Sequence, residues 1–169
     1  PSRSGTLLAR IAISGETVPA AGTFGFDFPA IGIDQDGALV AFAASLTTSP
    51  SEAIFATFDG LGFIRLAANG ETPPASGSRA FDNVYEDGPL HVSFAGGQGP
   101  GYVTWRGSVT GSTPEHGIYT CLCANNGDLS LGAVQAIVGP NTIFTEAGLG
   151  IITNVALYET AVDPSRVTL

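Results

Sequence analysis

Short apolar runs separated by turn residues recur along the whole chain. Val, Ile, Thr, Phe and Tyr fill the runs, and glycine or proline interrupts them about every eight to twelve residues. This spacing is typical of β-strands and too short for helices of useful length, and no segment shows a convincing amphipathic helical pattern. The pattern therefore predicts an all-β chain. Its 169 residues are enough for one self-supporting domain, which we expect to span residues 1–169.

One segment of the chain is duplicated. Residues 15–22 read GETVPAAG and residues 70–77 read GETPPASG, and Phe26-Asp27 returns at the same spacing as Phe81-Asp82. Eight of the thirteen residues from 15 to 27 are identical in the second copy, where unrelated sequences would share about one. Duplication at a fixed period indicates a repeat architecture.

The other strands of each unit also have counterparts along the chain. The matching segments are 8–13 with 63–68 and 131–137, 36–42 with 87–94, and 53–58 with 117–122. Each unit thus offers four short strands, and the units are predicted at about 7–60, 61–127 and 128–169. The third unit is expected to be incomplete, because it ends after a strand at 154–158.

Four-stranded antiparallel units of this length are typical of propeller blades, in which each small sheet buries its faces against its neighbours. The sequence therefore predicts tandem, propeller-blade-like repeats. Three units are fewer than the roughly four to eight blades of a closed propeller. The alternative is a β-sandwich made of the same hairpins.

The order of these segments resembles a known group of proteins. An opening strand, Gly-Glu-Thr-x-Pro, Phe-Asp, an Asp-Gly turn, Val-Ala-Phe and Gly-Ile-Tyr follow one another, which is similar to the propeller-like tandem-repeat proteins that bacteria secrete, a family of uncharacterised function. The resemblance covers most of residues 7–160. It implies an extracellular or cell-surface location and supplies no catalytic residues. A single strand, 152–162, is similar instead to the last strand of laminin-G or concanavalin-like sandwiches.

Charge and motifs exclude several classes of function. The chain has fifteen carboxylate side chains, six arginines and no lysine, which gives a net charge of −9. Because no basic patch is available to bind a phosphate backbone, nucleic acid is not an expected partner. The missing lysine also excludes phosphate loops of the Walker type and Schiff-base chemistry. No nucleophile or metallohydrolase motif is present, and we predict that the chain is not an enzyme.

The chain is unusually apolar for so few charges. Hydrophobic residues make up 44% of the sequence and charged residues 12%. Because no apolar run approaches the ~20 residues of a membrane helix, no membrane span is predicted. The surplus apolar surface is instead expected to contact another subunit in a homo-oligomer or polymer, although small monomeric β proteins can also have positive mean hydropathy.

Cys121 and Cys123 are two apart on a predicted strand, so both side chains point to the same face. They are interpreted as structural cysteines, either buried or bridged. A disulfide between them would be strained, and bonds to a neighbouring subunit are the other bridged alternative. Zinc would need further ligands, for which only His91 and His116 are available.

Asp34 and Asp36 alternate before Gly37, like the start of a calcium loop. The bidentate glutamate of an EF-hand is missing, and the second unit has only Asp87-Gly88 in common with this segment. A hairpin turn is the preferred interpretation and calcium is the alternative. The repeated Gly-Glu-Thr is likewise interpreted as a turn whose glutamate satisfies backbone donors, rather than as a ligand site.

Trp105, the only tryptophan, lies near Tyr102 in a strand that follows a glycine-rich loop. An exposed pair of this kind would form a sugar-stacking platform, and the alternative is a core aromatic.

Two hypotheses for the function follow from these features. The first is a self-assembling structural subunit of a surface filament, sheath or layer, joined through strand edges, with Val155 and Leu157 of the last strand as expected contact residues. The second is a secreted glycan-binding module that uses Trp105 and Tyr102. No cofactor is expected, apart from the calcium alternative.

Overall fold

The structure, a computed structural model, describes residues 11–18, 22–58, 62–86, 88–94, 99–111, 116–125 and 128–139. Within these ranges the chain forms twelve β-strands and no helix, so the predicted all-β class is confirmed. The sheets are antiparallel and curled, and part of the fold is a half-barrel. A helix long and apolar enough to cross a membrane is absent from these ranges.

The strands of the described ranges form one small hairpin and two larger sheets. The hairpin pairs β1 (Thr17–Val18) with β2 (Gly22–Thr23). The first large sheet, sheet I, has the order β3 (Ala30–Ile33), β4 (Leu39–Ser45), β5 (Glu52–Phe58) and β6 (Ile64–Ala68).

The second large sheet, sheet II, is built around two long strands. Its members are β7 (Phe81–Asn83), β8 (His91–Phe94), β9 (Gly101–Val109), β10 (His116–Asn125), β11 (Asp128–Leu129) and β12 (Val134–Val138). Strands β7 and β8 both pair with β9, β9 pairs with β10, and β10 pairs with β11 and β12.

Sheets I and II share a pattern of pairing. In sheet I, β5 lies between β4 and β6, and in sheet II, β10 lies between β9 and β12. The ladder to the outer strand shifts register at the corresponding step in both sheets, between Ile54 and Phe55 and between Ile118 and Tyr119. Residues 53–58 and 117–122, which the sequence matched, therefore occupy corresponding places.

The sheet boundaries differ from the predicted unit boundaries. Strand β6 follows the predicted boundary at residue 60, yet it completes sheet I by pairing with β5. Strand β12 likewise follows the boundary at residue 127 and pairs with β10. The strand that opens a unit in the sequence is thus the last strand of the preceding sheet.

The match of 36–42 with 87–94 is wrong. Strand β4 lies inside sheet I between β3 and β5, whereas β8 pairs only with β9 among the described residues. The strand that corresponds to β4 is β9. A short apolar strand after an Asp-Gly turn has the same local sequence pattern in the centre of a sheet and at its edge. The local pattern does not show which strands pair with it.

The duplicated Gly-Glu-Thr segment forms the same turn twice. The amide of Phe24 donates to the carbonyl of Glu16 (3.0 Å), and the amide of Phe81 donates to the carbonyl of Glu71 (2.8 Å). The loop between the paired residues is two residues shorter in the first copy. Phe24, and not Phe26 as the sequence match indicated, is therefore the counterpart of Phe81.

The main core lies between sheets I and II, where their chemistry is complementary. Sheet II contributes large aromatic side chains, led by Trp105 and Tyr119, which are fully buried. Sheet I meets them with small and aliphatic residues: Ala41, Ala43, Ile54, Ala56, Leu66 and Ala67. An aromatic layer against an alanine-rich layer lets the two sheets approach closely.

Gly32 marks a close approach between sheet I and the segment that contains Leu90 and β8 of sheet II. A Cβ atom at this position would collide with the carbonyl oxygen of Leu90 in sheet II and lie 2.8 Å from Cγ2 of Val92. Only glycine fits here without moving one of the two backbones.

A second core covers the other face of sheet I. Phe24, Phe42 and Phe55 form its centre, with ring centroids 5.2–5.7 Å apart in edge-to-face and stacked arrangements. Val18 of the hairpin and the partly buried Ile11 and Ala12 pack against this cluster. Sheet I is consequently apolar on both faces.

The corrected match of the repeats gives a direct test of this core. Phe24→Ala should lower the free energy of unfolding by about 3–5 kcal/mol, because the ring is fully buried among four other phenylalanines. Phe26→Ala is the matched control and should change it by less than about 0.5 kcal/mol at protein concentrations where the chain is monomeric, because Phe26 is 95% exposed. Urea unfolding followed by circular dichroism measures both; equal losses would contradict the assignment.

Candidate functional site

Four exposed large apolar side chains lie in strand β3 and in the segment just before it. Phe26 is 95% exposed, Ile31 60%, Ile33 55% and Phe28 37%. These four residues are called the β3 patch below. Phe28 packs against Phe24 and Phe42 (centroids 5.6 and 6.0 Å), so the patch borders the second core.

The patch results from an inverted strand pattern. In β3, the face toward sheet II carries Ala30 and Gly32, while the opposite face carries Ile31 and Ile33. Large residues normally face the core of a sheet, and small or polar ones face solvent. The close approach of sheet II at Gly32 requires the small residues. The isoleucines therefore point away from the main core, toward a side where they are more than half exposed.

The corresponding positions of sheet II are covered. Ile31 pairs with Phe42 in sheet I, and the matching position in sheet II, next to Trp105, belongs to Leu90. Leu90 is only 4% exposed, and both Leu90 and Val92 pack into the core against sheet I. In sheet II, the apolar residues at the positions that correspond to Ile31 and Ile33 are thus covered by sheet I.

Strand β3 is also an edge strand in the described ranges, where it pairs with β4 alone. An edge with large apolar residues and no lysine is a template for pairing with another chain. Asp27 is the one charged residue between Thr23 and Ile33. Edge and patch together form the candidate site.

The predicted glycan-binding residues do not form a platform. The indole of Trp105 is fully buried in the main core, where its ring lies 6.1 Å from that of Tyr119. Tyr102 is half-buried and lies on the opposite face of β9, because the two residues are three apart on a strand. Trp105 is therefore a core aromatic, as the alternative interpretation had it, and is not available to stack on a sugar.

Asp34 closes the turn between β3 and β4. Its Oδ1 accepts a hydrogen bond from the amide of Leu39 (2.7 Å) and its Oδ2 one from the amide of Asp36 (3.2 Å). Asp34 is 5% exposed, whereas Asp36 is exposed. The described ranges contain no group of three His, Cys, Asp or Glu residues that could hold a metal ion. The arrangement fits the hairpin-turn interpretation.

The repeated glutamate of the second Gly-Glu-Thr segment has a comparable role. Glu71 accepts a hydrogen bond from the amide of Ala68 (3.1 Å) and forms an ion pair with Arg65 (2.8 Å). Both side chains are partly exposed, so the ion pair adds little stability. The glutamate satisfies a backbone donor at the end of β6, which is what the turn interpretation requires.

Cys121 and Cys123 lie on the same face of β10, in the main core. Both are free and buried, so the bridge considered between them is not present. The thiols donate to the carbonyls of Gly132 (3.4 Å) and Gly101 (3.5 Å), respectively. Burial raises the pKa of Cys121 to about 11 and that of Cys123 to about 12. Thiols of this kind are protonated at neutral pH and react slowly.

The remaining predicted contact residues, Val155 and Leu157, lie outside the described residues. The third predicted unit is described only as far as residue 139.

Two further polar features were not found from the sequence. Glu86 Oε2 lies 2.6 Å from Nδ1 of His116 and 3.2 Å from Nη2 of Arg106. These residues come from three separate segments of sheet II and its loops, so no sequence spacing joins them. They link β9 and β10 to the segment after β7.

A shallow cleft of about 480 Å³ lies beside the turn between β4 and β5. Its lining includes the hydroxyl residues Thr47, Thr48, Ser49 and Ser51, together with Asn69 and Asp82. Asn69 spans its floor, because it donates to Oγ of Ser51 (3.3 Å) and accepts from the amide of Val84 (2.6 Å). The run of serine and threonine residues at 45–51 is the sequence signal that could have located this feature.

Comparison with protein-family models, with curated proteins and with solved structures gives no significant match. The function must therefore be inferred from the geometry.

The state of the cysteines can be measured directly. With both thiols buried and their pKa raised to about 11 and 12, Ellman's reagent at pH 8 should label the folded protein slowly and the urea-unfolded protein rapidly. Two thiols per chain are expected after unfolding without a reductant. No thiols under these conditions would show that the cysteines are bridged.

Proposed function

We propose that the chain is a self-assembling structural protein, a subunit of an extracellular filament, sheath or layer. The observation that carries this proposal is the β3 patch, in which two isoleucines and a phenylalanine of one edge segment are at least 55% exposed. Isolated exposed apolar residues are common on monomers, but a row of them on an open strand edge is typical of an interaction surface.

The proposal includes a repeat architecture of blade-like, four-stranded units. Its support is the shared pattern of sheets I and II, which includes the shift of register at the corresponding step. The order of packing is a further support, because the aromatic face of sheet II contacts the alanine-rich face of sheet I, as consecutive blades do. An array of such units has two unlike ends, and each end needs a cover.

The composition is compatible with a place outside the cell. The resemblance to secreted bacterial tandem-repeat proteins motivates this part of the proposal, and the near absence of positive charge argues against nucleic acid as a partner. Enzymatic activity is not proposed, because the described side chains offer no nucleophile paired with a base.

A glycan-binding module has less support. Trp105 is buried and Tyr102 lies on another face, so the chain has no exposed aromatic platform at these positions. The cleft near Asn69 and Asp82 has the hydroxyl, amide and carboxylate groups that bind sugars, but its one aromatic neighbour, Phe81, is 3% exposed.

Electron microscopy of the native protein tests the structural role. We expect regular filaments, tubes or sheets in negative stain as the protein concentration rises, and light scattering should show masses that are multiples of 17.1 kDa. Particles of a single chain at every concentration would contradict the proposal. Binding on a glycan array, lost in Asp82→Ala, would then favour the second candidate.

A further inference from the structure

We propose that two copies of this chain bind each other through the β3 patch, related by a two-fold axis, with their β3 strands side by side and antiparallel. This inference rests on the proposed self-association and identifies its first contact.

The internal contact shows what normally covers such a patch. Leu90 and Val92, which correspond to the exposed Ile31 and Ile33, contact the face of sheet I that carries Gly32. The glycine is required because the carbonyl of Leu90 passes over it. A second copy that repeated this contact would need an equally small residue where the patch docks.

The outer face of sheet II does not provide such a residue. His91 pairs with Thr104 of β9 as Gly32 pairs with Ala41 of β4, so His91 occupies the place of the glycine. Arg106 of β9 takes the place that Ala43 has in β4. This face is also covered within the chain, because Thr104 is 5% exposed, Ser108 is 6% exposed and Nε2 of His91 is not accessible to solvent. Head-to-tail addition in the manner of the internal contact is therefore blocked.

The remaining complementary surface is the patch itself. A two-fold axis places the same apolar residues opposite each other and makes the contact self-complementary. When the axis is perpendicular to the strands, the two β3 strands run antiparallel. Their outer edges, which are unpaired among the described residues, can then exchange backbone hydrogen bonds and extend sheet I across the dimer. Large isoleucines on neighbouring strands then cover each other, as cross-strand pairs do.

Electrostatics favours this surface over others. Each chain has a net charge of −9, so two copies repel over most of their surface. The patch contains one charge, that of Asp27, within eleven residues from 23 to 33. Because salt screens the repulsion between exposed charges, the dimer should become tighter as the salt concentration rises.

Sedimentation velocity of the whole chain tests the contact, with Ile31→Asp as the disrupting variant. Leu131→Asp is the matched control, because Leu131 is 59% exposed and Ile31 is 60% exposed, and Leu131 lies outside the patch. We expect a dimer for the wild type and for Leu131→Asp, and at least a tenfold weaker association for Ile31→Asp. Phe26→Asp, at a 95% exposed position, should act like Ile31→Asp without affecting the fold, as checked by circular dichroism.

The variant His91→Ala distinguishes the two-fold contact from head-to-tail assembly. It shortens the side chain that takes the place of Gly32 in sheet II and does not touch the β3 patch sequence, so it should leave a two-fold dimer unchanged. Two results would overturn the two-fold contact but leave self-association intact. One is an assembly that depends on Ile31 and joins more than two chains through this contact. The other is an assembly that becomes longer in His91→Ala. Association that Ile31→Asp does not weaken would place the contact elsewhere. A single chain under all conditions would overturn both the contact and the proposed function.

Discussion

The close approach of two sheets at Gly32 sets the geometry on which the other features depend. The carbonyl of Leu90 occupies the space that a side chain at residue 32 would need, so β3 must carry small residues on the face toward sheet II. The alanines of β4 and β5 serve the same purpose against Trp105 and Tyr119. Because alternate residues of a strand face opposite sides, the large residues of β3 are directed to the other face. The main core and the exposed patch thus have one cause.

The two faces of a sheet therefore differ in a regular way. One face carries aromatic residues and the other carries alanine and aliphatic residues, in sheet I as Phe42 and Phe55 against Ala41 and Ala56. Because its two faces differ, a sheet packs its aromatic face and its alanine-rich face against different partners. Sheet II breaks the regularity on its outer face, where His91, Thr104 and Arg106 replace small residues. Of these two outer faces, that of sheet I carries exposed isoleucines at β3, and it is the proposed contact.

The sequence predicted the parts of the fold that depend on local pattern. The all-β class follows from turn spacing, and the segments 53–58 and 117–122, which the sequence matches, both lie in strands that are paired on two sides, β5 and β10. The counterpart of Phe81 was wrong, because a loop two residues shorter places Phe24 in the core while Phe26 happens to keep the sequence spacing. The burial of Trp105 and the exposure of Ile31 depend on which sheet lies opposite, and no local pattern contains that information.

The most direct test of this account is the stability of Gly32→Ala. The added methyl group would meet the carbonyl of Leu90, so the account predicts a loss of about 1–3 kcal/mol in the free energy of unfolding, measured by urea denaturation. A variant as stable as the wild type would contradict it, because the two sheets would then not be in contact at this point. In that case neither the inverted pattern of β3 nor the origin of the exposed patch would be explained.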